Sequence, residues 1–134
     1  MKNTLVTTIA RNVRHWTEAE AYRKDYNPDD LEGWCGIAAA ELHGRLKKER
    51  ITAKICVSID AYQGCHCFLL VEDHVVDVTA TQFHAFKDKK IVIMHSKEAE
   101  VHEIYRVEKM FGSAKELRVY QKKAKWPARQ IAYA

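Results

Sequence analysis

Apolar and polar residues follow two different rhythms along this chain. Over residues 11–24 Val13, Trp16 and Ala19, and then Tyr22 or Arg23, recur every three or four residues. That spacing predicts a helix with one inner stripe. Asn27-Pro28-Asp29-Asp30 breaks it. The helical rhythm returns over residues 35–50, where Cys35, Ala38, Ala39, Leu42 and Leu46 share one face and Glu41, Arg45, Lys48 and Glu49 fall largely elsewhere. Either Asp29 or Asp30 is placed to help cap this second helix. Gly44 within it costs about 1 kcal/mol relative to alanine, which suits a close crossing of another layer.

Beyond residue 50 the pattern changes. Residues 51–59 are rich in β-branched side chains and predict a strand, followed by a loop at 60–64. Residues 65–71 and 75–80 predict two strands around the polar Glu72-Asp73-His74, and residues 91–95 and 101–107 two more. Residues 113–125 predict a closing helix, with Ser113 as N-cap and Glu116 three residues on. Helices first, then a run of antiparallel strands, then a helix, describe the α+β class: N-terminal helices packed on one antiparallel β-sheet. A length of 134 residues suits one domain over 1–134.

Parity then tests the hairpin. With its turn centred on Glu72-Asp73, Phe68 faces Asp77 and His66 faces Thr79, so these four share a face. Asp77 sits one diagonal step from His66, about 7–8 Å between backbone positions, a gap that an imidazole and a carboxylate can close. The opposite face carries Cys65, Cys67, Leu69, Val71, Val76 and Val78 and reads as core. A slip of one residue would put His66 and Asp77 on opposite faces.

Composition narrows the class. An apolar fraction of 47% and a charged fraction of 30% are those of an ordinary globular chain. The formal charge is +4, and the basic runs Lys87-Asp88-Lys89-Lys90 and Lys122-Lys123-Ala124-Lys125 read as solvated surface. No recognised nucleic-acid motif accompanies them, so nucleic acid is not an expected partner. The first ten residues lack a continuous apolar signal region, and no run approaches the roughly eighteen apolar residues of a membrane span. The expectation is a cytoplasmic protein, with no membrane partner and with Cys35, Cys56, Cys65 and Cys67 reduced.

The candidate chemistry lies in two separated segments. Gly33-Trp34-Cys35-Gly36 opens the second helix, where free amides and the helix dipole favour a thiolate. His66 and Asp77 follow on the hairpin. A thiol, an imidazole and a carboxylate are the groups that a nucleophile, its base and its orienting partner require. Gly36 leaves room for a substrate carbonyl near the Cys35 and Gly36 amides. Trp34 is placed to wall the cleft, and Gln82 to support the site or contact substrate. Asp77 stands as a charge in the apolar run Val75-Val76-Asp77-Val78 and needs a partner. The three groups must meet where water can reach them.

These pieces resemble the transglutaminase-like branch of the papain-like fold. The matching parts are Gly-Trp-Cys-Gly ahead of a small-residue helix, His66 leading an apolar strand, and Asp77 in Val-Asp-Val-Thr-Ala, within residues 34–83. The resemblance implies a papain-like/transglutaminase-like core and acyl-transfer chemistry on amides: peptide cleavage, deamidation or crosslinking. Cys35 would be the nucleophile, His66 the general base and then acid, and Asp77 the group holding the imidazole. It implies no metal, no cofactor, and a peptide or protein substrate presenting an amide or a glutamine side chain. Papain-like proteases carry a glutamine six residues before the cysteine; here that position is Asp29. Asn27, or Trp34 and the backbone, would then serve the oxyanion. Two other readings stand beside this one: a catalytically inactive binding protein of the same fold, and a zinc module built on Cys65-His66-Cys67 with His74 and His84. Strand alternation opposes zinc, because it sends Cys65 and Cys67 one way and His66 the other, and no C-x-x-C pair exists.

Overall fold

A computed structural model describes residues 3–61 and 64–133. Among them are four α-helices and one five-stranded antiparallel sheet: α1 (Asn3–Arg23), α2 (Cys35–Lys48), β1 (Lys54–Ala61), β2 (Gly64–Val71), β3 (His74–Asp77), β4 (Val92–His95), α3 (Ser96–Ala99), β5 (Lys109–Phe111) and α4 (Ala114–Lys123). The strand order is β4-β3-β2-β1-β5. This is the α+β arrangement that the pattern predicts. No helix among the described residues is long and apolar enough to cross a membrane.

Helix α1 begins well before residue 11. Its buried stripe is Val6, Ile9, Ala10, Val13, Arg14, Thr17 and Ala21, not Val13, Trp16, Ala19 and Tyr22. Ala19 is exposed and Tyr22 is 75% exposed. The true stripe is continuous at i, i+3, i+4 spacing, but a threonine and an arginine interrupt its hydropathy, which shifts the apparent face. Helix α2 starts at Cys35 as expected and buries Cys35, Ala38, Ala39, Leu42 and Leu46. Neither Asp29 nor Asp30 caps it. The N-cap is Trp34, without a side-chain bond, and Asp30 Oδ1 instead accepts the Glu32 N–H at 3.0 Å.

One sheet face meets the helices. Cys67, Leu69, Val71 and Val76 pack with Val6, Val13, Leu42, Leu46, Ile55 and Val57. Each fully buried aliphatic side chain in that layer contributes about 1.5–3 kcal/mol. The hairpin register pairs Leu69 with Val76, Leu70 with Val75 and Val71 with His74, the register of a turn at Glu72-Asp73. The reverse face is also covered: Phe68 and Val75 pack with Phe86, Val92, Ile104 and Tyr105.

Two strand expectations fail. The strand expected at 75–80 ends at Asp77, and the chain turns into a 3-10 turn, Ala80–Gln82. Residues 101–107 form a 3-10 turn, Glu103–Tyr105, rather than a strand. Ile104 and Tyr105 are consecutive yet both buried, which a strand with one wet face does not allow; the fifth strand comes later, at Lys109–Phe111. Helix α4 has the expected cap: Ser113 Oγ accepts the Glu116 N–H at 3.2 Å, and Glu116 Oε2 accepts the Gly112 N–H at 2.7 Å. Of the loop expected at 60–64, residues 62 and 63 lie outside the described residues.

Candidate active site

Three elements deliver three side chains to one end of the sheet. Helix α2 brings Cys35 on its first turn, β2 brings His66, and the last residue of β3 is Asp77. Because β3 stops at Asp77, the β2–β3 pairs end at Leu69–Val76, and among the described residues His66 keeps a cross-strand partner only in Ser58 of β1. That break in the sheet is where the imidazole meets both the carboxylate at the strand end and the sulfur on the helix.

Asp77 is 1% exposed and fully satisfied. His66 Nε2 donates to Oδ2 at 2.7 Å, and the Tyr105 hydroxyl donates to the same oxygen at 2.7 Å. Oδ1 accepts the Thr79 N–H at 2.9 Å, with the Thr79 hydroxyl at 3.4 Å. Burial alone would raise this carboxyl's pKa, but the His66 charge and these bonds hold it below its usual range. The imidazole is boxed by aromatic rings: Phe68 stacks at 6.0 Å, and Phe83 meets it edge-on at 4.8 Å. Gln82 donates its amide to the Thr79 carbonyl at 3.1 Å and lies 3.4 Å from His66 Nδ1.

The Cys35 thiol lies in side-chain hydrogen-bonding contact with the Cys67 thiol and with the His66 ring. Nε2 is committed to Asp77, and Nδ1 is the nitrogen that the Gln82 amide approaches. The Cys67 thiol contributes most to lowering the Cys35 pKa well below the ordinary thiol range; burial opposes this, and His66 assists. Burial likewise works against protonated His66, yet the Asp77 charge and bond, with the Cys35 contact, push its pKa up to about 10. Both shifts favour the thiolate–imidazolium form of the pair. Cys56 differs sharply: buried and without such a partner, its thiol is pushed up to about 12.

The expected opening to water is not there. Cys35 is 6% exposed and His66 0%. The chain folds back over both approaches. On the imidazole side lie Phe83 and Tyr105. On the helix side lies the segment after α4. Ala132 is buried and donates its N–H to Gln121 Oε1 at 2.8 Å, and Gln121 Nε2 donates to the Gln130 carbonyl at 3.3 Å. A Cβ on Gly36 would fall 2.5 Å from Gln121 Nε2 and 3.2 Å from the Gln130 carbonyl. Gly36 thus makes room for the Gln121 side chain of α4 and the Gln130 carbonyl, where sequence reasoning assigned the space to a substrate carbonyl. Gly33, at φ +85°, faces the Gln130 side chain in the same way.

The remaining predicted residues separate. Trp34 is buried in a small cluster with Ala21, Leu31 and Ile37 and meets Tyr26 edge-on; it packs rather than walling a cleft. Asn27 is exposed, and its Oδ1 accepts the Asp29 N–H at 2.8 Å, a turn contact and not an oxyanion donor. The zinc constellation does not assemble: His66 is engaged with Asp77, and His74 with Asp73 at the far end of the hairpin. Among the described residues no group of three or more His, Cys, Asp and Glu side chains could hold a metal ion.

Sequence reasoning missed three supporting residues. Tyr105 sits in the segment misread as a strand. Ser58 lies opposite His66, and its hydroxyl is the one buried side-chain oxygen without a partner among the described residues. Arg14, 1% exposed, binds Glu18 at 2.9 Å, the Val78 carbonyl at 3.0 Å, Thr81 Oγ1 at 2.8 Å and the Asp29 carbonyl at 2.9 Å. It ties α1 to the loop preceding Cys35 and to the loop following Asp77. Its place in the i, i+4 stripe between Ala10 and Thr17 was the available signal.

Comparison with protein families, with curated proteins and with solved structures gives no match to this chain.

Proposed function

We propose that this protein is a thiol-dependent amide hydrolase or acyl transferase, working through a Cys35–His66–Asp77 triad on a papain-like/transglutaminase-like core. The observation that carries the reading is the continuous contact from sulfur to imidazole to carboxylate, with the imidazole fixed by its own aromatic box. A buried carboxylate bonded to one ring nitrogen orients the ring and stabilises its cationic form, which leaves the other nitrogen for the thiol.

In the proposed reaction the Cys35 thiolate adds to an amide carbonyl of a peptide or of a glutamine side chain. In this reading the developing oxyanion meets the first-turn amides of α2, which have no intrahelical acceptors. His66 gives its proton to the leaving nitrogen as the C–N bond breaks and the thioester forms. Water or an amine, deprotonated by His66, then releases the acyl group and restores the thiolate. The chemistry calls for no metal. Substrate reaches the sulfur by displacing the covering tail.

The test is alkylation near neutral pH followed by peptide mapping, then product analysis on peptide and glutamine substrates. Cys35 is expected to label at least ten-fold faster than Cys56 or Cys65, about 1.4 kcal/mol in barrier, and Cys35→Ala to abolish both labelling and turnover. Equal labelling of Cys65 would remove the special standing of Cys35, and the proposal with it.

A further inference from the structure

The acyl-transfer reading leaves Cys67 without a task. Cys67 is 1% exposed on β2, one residue beyond the imidazole, and its thiol bonds to the Cys35 thiol. The two sulfurs line one internal gap with Asp77 and Thr79. Both belong to the layer between α2 and the sheet. All four cysteines are free thiols.

We infer that Cys35 and Cys67 form an oxidisable dithiol site, which a hydroperoxide converts to an intramolecular disulfide. Both cysteines line the same internal gap in one packed layer, and their side chains are partners there, so the two sulfurs are placed to close an S–S bond of about 2.05 Å. The sulfurs are also unequal in the required sense. Cys35 is the nucleophilic member, its pKa lowered beside Cys67 and the imidazole, while the bond with Cys35, and then burial, push the Cys67 thiol well above its ordinary range so that it keeps its proton.

The steps balance. The Cys35 thiolate attacks the distal oxygen of the hydroperoxide, forming S–O as O–O breaks. The departing alkoxide or hydroxide takes the His66 proton, which leaves Cys35 as a sulfenic acid and releases an alcohol or water. Cys67 sulfur then attacks the Cys35 sulfur, forming S–S as S–O breaks, and the departing hydroxide carries the Cys67 proton away as water. Sulfur is oxidised by two electrons in total and the peroxide is reduced by two. Neither step passes through an acyl group, so the bridge is expected whether or not the chain acts on amides.

The experiment treats the reduced full chain with stoichiometric hydrogen peroxide, blocks remaining thiols and maps tryptic peptides. Cys35 lies on the peptide 25–45, and the other three cysteines share the peptide 55–87. The expected result is an intact mass lower by about 2 Da, loss of two titratable thiols, and a 25–45 to 55–87 cross-link that fragmentation places on Cys67. Reductant should reverse it. The cross-link should survive in Cys65→Ser, and in Cys67→Ala it should give way to a dimedone-reactive sulfenic acid on Cys35. Fragmentation of the wild-type cross-link decides the partner even if Cys67→Ala does not fold. A bridge mapped to Cys65 or Cys56, or over-oxidation of Cys35 without any bridge, overturns the inference.

Discussion

His66 is bonded to a carboxylate on one nitrogen, touches a thiol, and is closed in by three aromatic rings, so its protonation belongs to the group and not to the residue. Removing the Asp77 charge lets burial dominate, which lowers the His66 pKa and raises that of Cys35. In Asp77→Asn the pH midpoint for alkylation of Cys35 should therefore move upward, toward the free-thiol range near about 8.5. Rate measurements from about pH 4 to 10 with peptide mapping check this; an unchanged midpoint would mean that Asp77 does not govern the pair. Asp77→Ala goes further, because His66, Tyr105 and Thr79 all lose a buried acceptor. It should cost about 3–5 kcal/mol in denaturant unfolding. Ser58 points the other way. Its hydroxyl is buried without a partner, so Ser58→Ala should stabilise the fold by about 1 kcal/mol.

At the scale of elements, the site depends on how α1, α2 and the tail meet. Arg14 uses one planar guanidinium to hold two loops that flank the site. A lysine cannot reproduce that fork, so Arg14→Lys should cost about 2–3 kcal/mol, measured by chemical denaturation. A cost within experimental error would mean that the loops are held by other contacts. Gly36→Ala forces a methyl against Gln121 and the Gln130 carbonyl. Overpacking of this kind costs about 1–3 kcal/mol, and here it should expel the tail, so alkylation of Cys35 should accelerate even as the melting temperature falls. Slower alkylation would show that the tail does not control access.

At the scale of the whole molecule, charge linkage shapes stability. Asp77 and Cys35 have folded pKa values below their ordinary 3.8 and 9.0, so each stabilises fully above that ordinary value and loses its contribution as pH falls. His66 is raised from 6.5 to about 10, so its contribution is complete below 6.5 and gone by about 10. Between 6.5 and 9.0 the loss from His66 is opposed by the gain from Cys35, so denaturation midpoints should change less there than above 9.0, where they should fall. A midpoint that rises steadily through pH 10 would contradict the protonated imidazole.

Sequence by itself determined what local periodicity encodes. Alternation on the two hairpin arms put His66 and Asp77 on one face for a turn at Glu72-Asp73, the turn that the fold adopts, and small residues after Cys35 marked the helix that carries the sulfur. Serine and glutamate at 113 and 116 specified the cap of α4. Only tertiary structure decided what covers these elements. Arg14 and Thr17 stand outside the stripe that hydropathy picks out, because their burial depends on partners more than sixty residues away or on a backbone carbonyl one turn back. Ile104-Tyr105 read as strand because hydropathy does not distinguish two buried neighbours in a 3-10 turn from one face of a sheet. The closure of the site lies in the same class. Gly36 records only that something approaches closely, and it took the fold to show that this is Gln121 of α4 with the Gln130 carbonyl, because long-range contacts leave no period in the sequence.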